Sequence, residues 1–198
     1  ALRPHNFEAA AALRALYRDG GQEPLLLGVL DVLVEHSPEL ESRQAVLQEM
    51  SEVAERVGRD EIFGVLRRRF LLQADEEATG RLEELAGELG RDLELAQVYL
   101  RSAEERRAGP QARDLFLKAG RLFDEKLPRP KDALSAYRAA LALDPDNDTA
   151  REALERLLQE QNDPKALIEM LRAQIKREPG SAPLALAKIG GVQERELS

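Results

Sequence analysis

Four prolines, Pro38, Pro110, Pro145 and Pro179, close successive segments of helical apolar periodicity, at intervals of 72, 35 and 34 residues. The first interval is close to two of the others. Proline stops a helix because it lacks an amide hydrogen and its ring collides with the preceding turn. The wording around these stops repeats as well: Leu141-Ala142-Leu143-Asp144-Pro145-Asp146-Asn147 closes one segment and opens the next, and Arg177-Glu178-Pro179-Gly180 does so one period later. A segment of about 34 residues holds two helices and a turn, too little to bury an apolar face alone. The units must stack, and the stack has to supply the core.

Apolar residues recurring at three- and four-residue steps, broken where Gly, Pro, Asn and Asp cluster, divide the chain into helical pairs. The spacing predicts helices over about residues 6–19 and 24–35, 39–57 and 61–73, 76–89 and 93–108, 111–126 and 131–143, and 149–160 and 164–177, with a last one over 183–195. We read a single repeat domain over residues 1–198, with units at about 6–38, 39–75, 76–109, 110–145 and 146–179 and a partial unit at 180–198. Aromatic residues make up only 4%, Trp is absent, and the apolar set is mostly Leu, Ala and Val, which favours helix over sheet. No strand is expected. The unmatched last helix, with apolar Leu184, Leu186, Ile189 and Val192, and a start at Ala1 without Met lead us to expect a fragment of a longer protein.

A second echo is Gly-Arg-Asp, at residues 58–60 and again at 90–92. The expectation is that Gly ends one helix in the left-handed conformation and Asp caps the next. The densest basic run, Arg67-Arg68-Arg69, reads as a solvated helix face.

The stretch from Ala133 to Pro145 resembles the second helix and exit turn of a tetratricopeptide repeat: Ala133, Tyr137, Ala140 and Pro145 stand at the family's small, aromatic, small and proline positions. Small residues let paired helices approach, and the aromatic fills the groove to the neighbouring pair. Gly120 and Phe123 match the small and aromatic positions of the preceding helix, with one extra residue in the Pro-rich turn between them and Ala133. The fifth unit follows with Ala166, Met170, Ala173 and Pro179, the first with Leu13, Tyr17, Leu30 and Pro38, and the third with Ala86, Ala96, Leu100 and Ala103. The second matches least, relying on Phe63, Leu66 and Phe70. The likeness is specific over residues 111–179 and loose before them.

What the resemblance implies is an all-α, right-handed α-solenoid of about five helical hairpins plus a terminal helix, from a bacterial protein, acting as a protein-protein interaction scaffold. Its concave or edge surface would take a peptide or partner protein, and first helices line the concave side. The partner-binding candidates are then Arg121, Asp124 and Glu125 in the fourth unit and Glu152, Arg156, Gln159 and Glu160 in the fifth. The family's clamp for a C-terminal carboxylate uses Lys and Asn, whereas Leu117 and Arg121, then Glu152 and Arg156, occupy those places here, so that clamp is not expected. Two other readings stay open: a regulatory sensor module of a larger signalling protein, and an all-helical enzyme.

Chemistry-bearing motifs do not favour the enzyme. The chain has no Cys, which removes disulfides, thiolate metal sites and a Cys nucleophile. His5 and His36 are far apart, with no metal-ligand spacing around either. Gly-rich phosphate loops, nucleophile elbows and zinc motifs are absent, so neither catalysis nor a cofactor is expected. A formal charge of −8 and a pI near 5.0 argue against nucleic acid as partner. The most apolar run, Leu25 to Leu33, is broken by Gly28 and Asp31, so no membrane insertion is expected. A cytoplasmic location is expected, the periplasm remaining open, and self-association through the C-terminal helix is a further option.

Overall fold

The computed structural model describes residues 7–73, 76–106 and 109–196. These residues form eleven helices and no strand: α1 (Phe7–Asp19), α2 (Glu23–His36), α3 (Leu40–Val57), α4 (Arg59–Leu72), α5 (Glu76–Leu89), α6 (Asp92–Arg106), α7 (Pro110–Arg121), α8 (Pro130–Leu143), α9 (Asp148–Glu160), α10 (Pro164–Arg177) and α11 (Ala182–Glu196). The fold is all-α. Expected helix limits on described positions agree within two residues, except that α7 itself ends at Arg121, short of the expected 126. Residues 6, 75 and 108, at which other expected limits fall, lie outside them, as does His5.

The end of α7 is the informative departure from regularity. It continues as a π-helical turn, Leu122–Lys126, in which the Leu127 amide donates to the Leu122 carbonyl, five residues back, at 3.0 Å. A π turn accommodates one more residue than an α turn. The extra residue counted between Phe123 and Ala133 is thus taken up before the Pro-rich loop begins.

Two compact units divide the chain, residues 1–98 and 99–198. In the first, α1 packs on α2, α2 on α3, α3 on α4 and α4 on α5, each helix lying between its chain neighbours. Their apolar stripes meet in one core that includes Leu26, Leu30, Leu47, Met50, Val53 and Ala54. Each fully buried Leu or Val there contributes about 1.5–3 kcal/mol. In the second unit, α7 packs on α8, α8 on α9, α9 on α10 and α10 on α11. Leu154, Leu157, Leu158, Leu167 and Leu171 are buried between them.

Close approach in the second unit is made at small residues. Gly120, Ala133 and Ala140 are buried, and a Cβ placed on Gly120 would stand 2.8 Å from the ring of Tyr137. Glycine at 120 is therefore a packing requirement. Tyr137 fills the space so created with its ring 2% exposed, and burial pushes its phenol up to about 12, helped by the charges of Asp124 and Glu125 and opposed by Arg121 and Arg156.

The two Gly-Arg-Asp turns differ from each other and from the expectation. Gly90 is left-handed, with φ 67°, but Gly58 is extended, with φ 161° and ψ 173°, a conformation open to any residue. Asp60 does not cap α4, whose N-cap is Gly58; it lies in the first turn, where a negative charge complements the helix dipole. Instead the two turns bind each other. Arg91 of the second reaches Asp60 of the first at 2.5 Å, and its guanidinium lies 5.2 Å from the centre of the Phe63 ring. Side-chain caps occur elsewhere: Asn147 accepts from the Ala150 amide at 2.9 Å and Asp163 from the Ala166 amide at 3.1 Å.

Two outcomes test this packing. Gly120→Ala gains about 1 kcal/mol of helix preference but forces the Tyr137 ring aside, and we expect a net loss of about 1–2 kcal/mol, read from the thermal midpoint. Combined with Tyr137→Leu, the loss should be less than the sum of the single losses, and strict additivity would remove the ring as the obstacle. For pH, the fold favours the neutral phenol, so Tyr137 contributes fully below its ordinary value of 10.0 and loses that contribution as pH rises towards about 12. Tyr137→Phe should flatten the fall in urea midpoint between about pH 10 and about pH 12.

Candidate partner-binding surface

Within each compact unit, ion pairs link helices that are next but one to each other. On the odd-numbered helices of the first unit, Arg14 and Arg18 of α1 both clasp Glu49 of α3, and Arg81 of α5 reaches Glu55 of α3 at 2.5 Å. On the even-numbered side, Arg68 of α4 reaches Asp31 of α2 at 2.5 Å, and Arg67 reaches Glu94 of α6 at 3.6 Å. The second unit repeats the odd-numbered pattern, Arg156 of α9 bonding Asp124 at the end of α7 and Lys188 of α11 reaching Glu155 of α9 at 2.6 Å. The partners stand about one repeat apart in sequence. This is how a stacked repeat differs from a bundle: the same helix face meets the same face of the next unit.

Arg67, Arg68 and Arg69 are consequently not a solvated face. All three are half-buried, and the first two join neighbouring repeats within the first compact unit. Burial raises the carboxyl of Asp31 despite the opposing charge of Arg68. Glu49 goes the other way: burial works against its charge, but hydrogen bonds from Arg18 and Arg14 hold it below the ordinary value of 4.5. Exposed pairs of this kind are worth about 0–1 kcal/mol each. They align units that apolar burial has already brought together.

Of the seven candidate residues, three form one network. Arg156 binds the carboxylate of Asp124 with one arm and Glu160 with the other, the latter at 2.9 Å. The Asp124 side chain is only 9% exposed, so this contact is shielded from water in a way the others are not. The hydrogen bond with Glu160, opposed by burial and aided by Asp124, holds the Arg156 proton more tightly than usual. Gln159 donates to Glu155 at 3.5 Å. Arg121, Glu125 and Glu152 are exposed and have no ion-pair partner within 4 Å among the described residues. Arg121 and Glu125 share a face at the end of α7, and Glu152, Arg156 and Glu160 share one along α9, each spaced by four residues.

The first unit holds clefts that sequence patterning does not point to. A cavity of about 420 Å³ between α3 and α4 is lined by Gln44, Leu47, Arg69, Leu72 and Gln73, with Glu77 of α5 at its edge. A second, of about 320 Å³, adjoins it through Gln48, Arg69 and Glu77 and is floored by Ile62, Val65 and Leu66. The one sequence signal was Gln44 and Gln48, four apart on the polar side of α3. Glutamine amides can donate to and accept from a peptide backbone. Among the described residues no group of three or more His, Asp or Glu could hold a metal ion, and the His36 Nδ1 donates to the Val32 carbonyl at 2.9 Å. No described helix is long and apolar enough to cross a membrane.

No protein-family model matches the chain, and no curated protein does. Among solved structures it is similar to one described as "Crystal structure of MamA protein", at 13% identity and a TM-score of 0.44, over 89% of this chain and 93% of that one. A likeness of that size adds nothing to the helical repeat that the packing and the ion pairs themselves define.

Proposed function

We propose that the chain is a protein-interaction scaffold, binding a peptide or a partner protein on the surface formed by the first helices of its hairpins. The supporting observation is the division of labour among the charges of α7 and α9. Asp124 and Arg156 hold one repeat to the next, and Glu160 is engaged with Arg156 along α9. Arg121, Glu125, Glu152 and Gln159 stand exposed beside them, with both signs represented. A partner carrying an acidic residue opposite Arg121 and a basic one opposite Glu152 pairs without displacing an internal ion pair. Mixed signs select register and partner more than they add affinity. In the first unit, the Gln44, Gln48 and Gln73 amides suit an extended backbone laid along the α3 clefts.

A photo-crosslinking residue at Gln159 tests the reading. The parent protein should give a discrete crosslinked polypeptide in extracts of its own cells. Arg121→Glu with Glu152→Arg should lose that product and leave the thermal midpoint within about 0.5 kcal/mol of the parent. Unchanged crosslinking in the double variant would refute the assignment. Arg156→Glu should behave differently, costing about 1–3 kcal/mol because it leaves the shielded Asp124 carboxylate unpaired.

A further inference from the structure

We infer that the groove between α3 and α5, floored by α4, takes an extended basic segment of a partner protein, whose Lys or Arg is held between Glu52 and Glu77. The inference rests on the scaffold reading above and names the class of partner that the first unit admits.

The groove is tied at both ends and open between them. At one end Gln44 of α3 bonds Gln73, which follows α4, and at the other Arg81 of α5 reaches Glu55 of α3 at 2.5 Å. The clefts of about 420 and 320 Å³ lie along this stretch and share Gln48 and Glu77. From Gln44 to Glu55 α3 rises about 16 Å, the length of about five residues of extended chain. Walls close enough to be joined by single side-chain pairs admit a strand, not a helix about 10–12 Å across. The groove is also interior to the array. Helices α2 and α6 meet α4 away from the floor, where Arg68 reaches Asp31 at 2.5 Å and Arg67 reaches Glu94 at 3.6 Å.

Charge says what the strand carries. Within each compact unit, first helices are joined by opposite charges: Glu49 with Arg14 and Arg18, Glu55 with Arg81, Asp124 with Arg156, and Glu155 with Lys188. In the middle of the groove that rule lapses. Glu77 precedes Arg81 by one turn and Ser51 precedes Glu55 by one turn, so Glu77 stands level with Ser51 and its neighbour Glu52. Carboxylates thus line both walls. Both are exposed, and neither has an ion-pair partner within 4 Å among the described residues; Glu52 accepts from the Gln48 amide at 3.4 Å. The cations of the groove are already engaged, Arg81 with Glu55 and Arg69 as well. A cation from outside satisfies both carboxylates, whereas an acidic segment meets like charge on either side. The remaining donors and acceptors of Gln44, Gln48 and Gln73 suit its backbone, and Leu47, Leu72 and Ile62 underlie its alternate side chains.

Such a segment comes from another polypeptide. Among the described residues, the only Lys or Arg outside helical turns are Arg91 and Arg129, and these are bound to Asp60 and Asp132.

The probes are two fluorescein-labelled pentapeptides with amidated C-termini, Leu-Lys-Leu-Lys-Leu and Leu-Glu-Leu-Glu-Leu. By fluorescence anisotropy the basic one should bind the 198-residue chain saturably, about tenfold or more tightly than the acidic one. Glu52→Lys with Glu77→Lys should invert that order, a gain of acidic binding that misfolding does not produce. Gln48→Trp, which fills the groove where the clefts meet and removes no charge, should abolish binding of the basic probe while the circular dichroism melt is retained. Absence of saturable binding, an order unchanged in the double variant, or binding that survives Gln48→Trp overturns the inference. So does a parent protein that excludes the probe while residues 1–198 bind it, since the groove would then be filled by its own chain. The Gln159 crosslink tests the scaffold reading separately: that product with no probe binding removes the basic-segment assignment alone.

Discussion

The second unit depends on how closely a first helix can approach the second helix that follows it. At Gly120 the backbone of α7 comes near enough to α8 for the Tyr137 ring to occupy the side-chain space, and buried Ala133 and Ala140 keep the facing surface of α8 low. The Tyr137 hydroxyl lies 3.5 Å from Asp124, in the π turn that ends α7. Asp124 in turn receives Arg156 from α9. One missing side chain thus sets the depth of one hairpin, and that depth sets where the next is tethered. Interiors close-packed in this way pass on small displacements instead of absorbing them.

The first unit reaches the same architecture with different side chains. Its core relies on Leu26, Leu30, Met50 and Val53, with Phe63 and Phe70 buried in α4, and a Cβ on Gly28 or Gly64 would meet nothing within 4 Å. Neither Gly28 nor Gly64 performs the role of Gly120. Clefts lie along α3 and α4, lined in part by Leu47, Leu72, Ile62 and Val65.

Helix limits were legible because the signals that set them are local. Proline and glycine act within a few residues of themselves, and an apolar stripe reveals a helix without reference to anything distant. The small positions of the fourth unit were legible for the same reason, since Gly120, Ala133, Tyr137 and Ala140 carry their spacing with them. The ion pairs were not. Arg68 and Asp31 are 37 residues apart, and nothing in a basic run tells whether it faces water or the neighbouring repeat; only the register of stacked helices decides. Asp60 misled in a related way, because its partner, Arg91, sits in the next turn of the same type and outweighs a cap that extended Gly58 already precludes. Among the candidate surface residues, patterning put Glu152, Arg156 and Glu160 on one side of a helix but did not tell which of the charges were engaged.

That last distinction bears on how such a surface discriminates. A charge already paired across repeats is available to a partner only if the partner replaces the pair, and the cost of doing so rises with its shielding. At Asp124 the exposed fraction is 9%, and the site is closed to competition in practice. Under the proposed function, a partner at Arg121, Glu125 and Glu152 would exchange water for an ion pair, which gains little affinity but penalises a like charge. The stacking pattern therefore filters the chain's many charges down to a few that can be read from outside. A single reversal at one of these few leaves the tethers between repeats intact, whereas reversal at Arg156 breaks one.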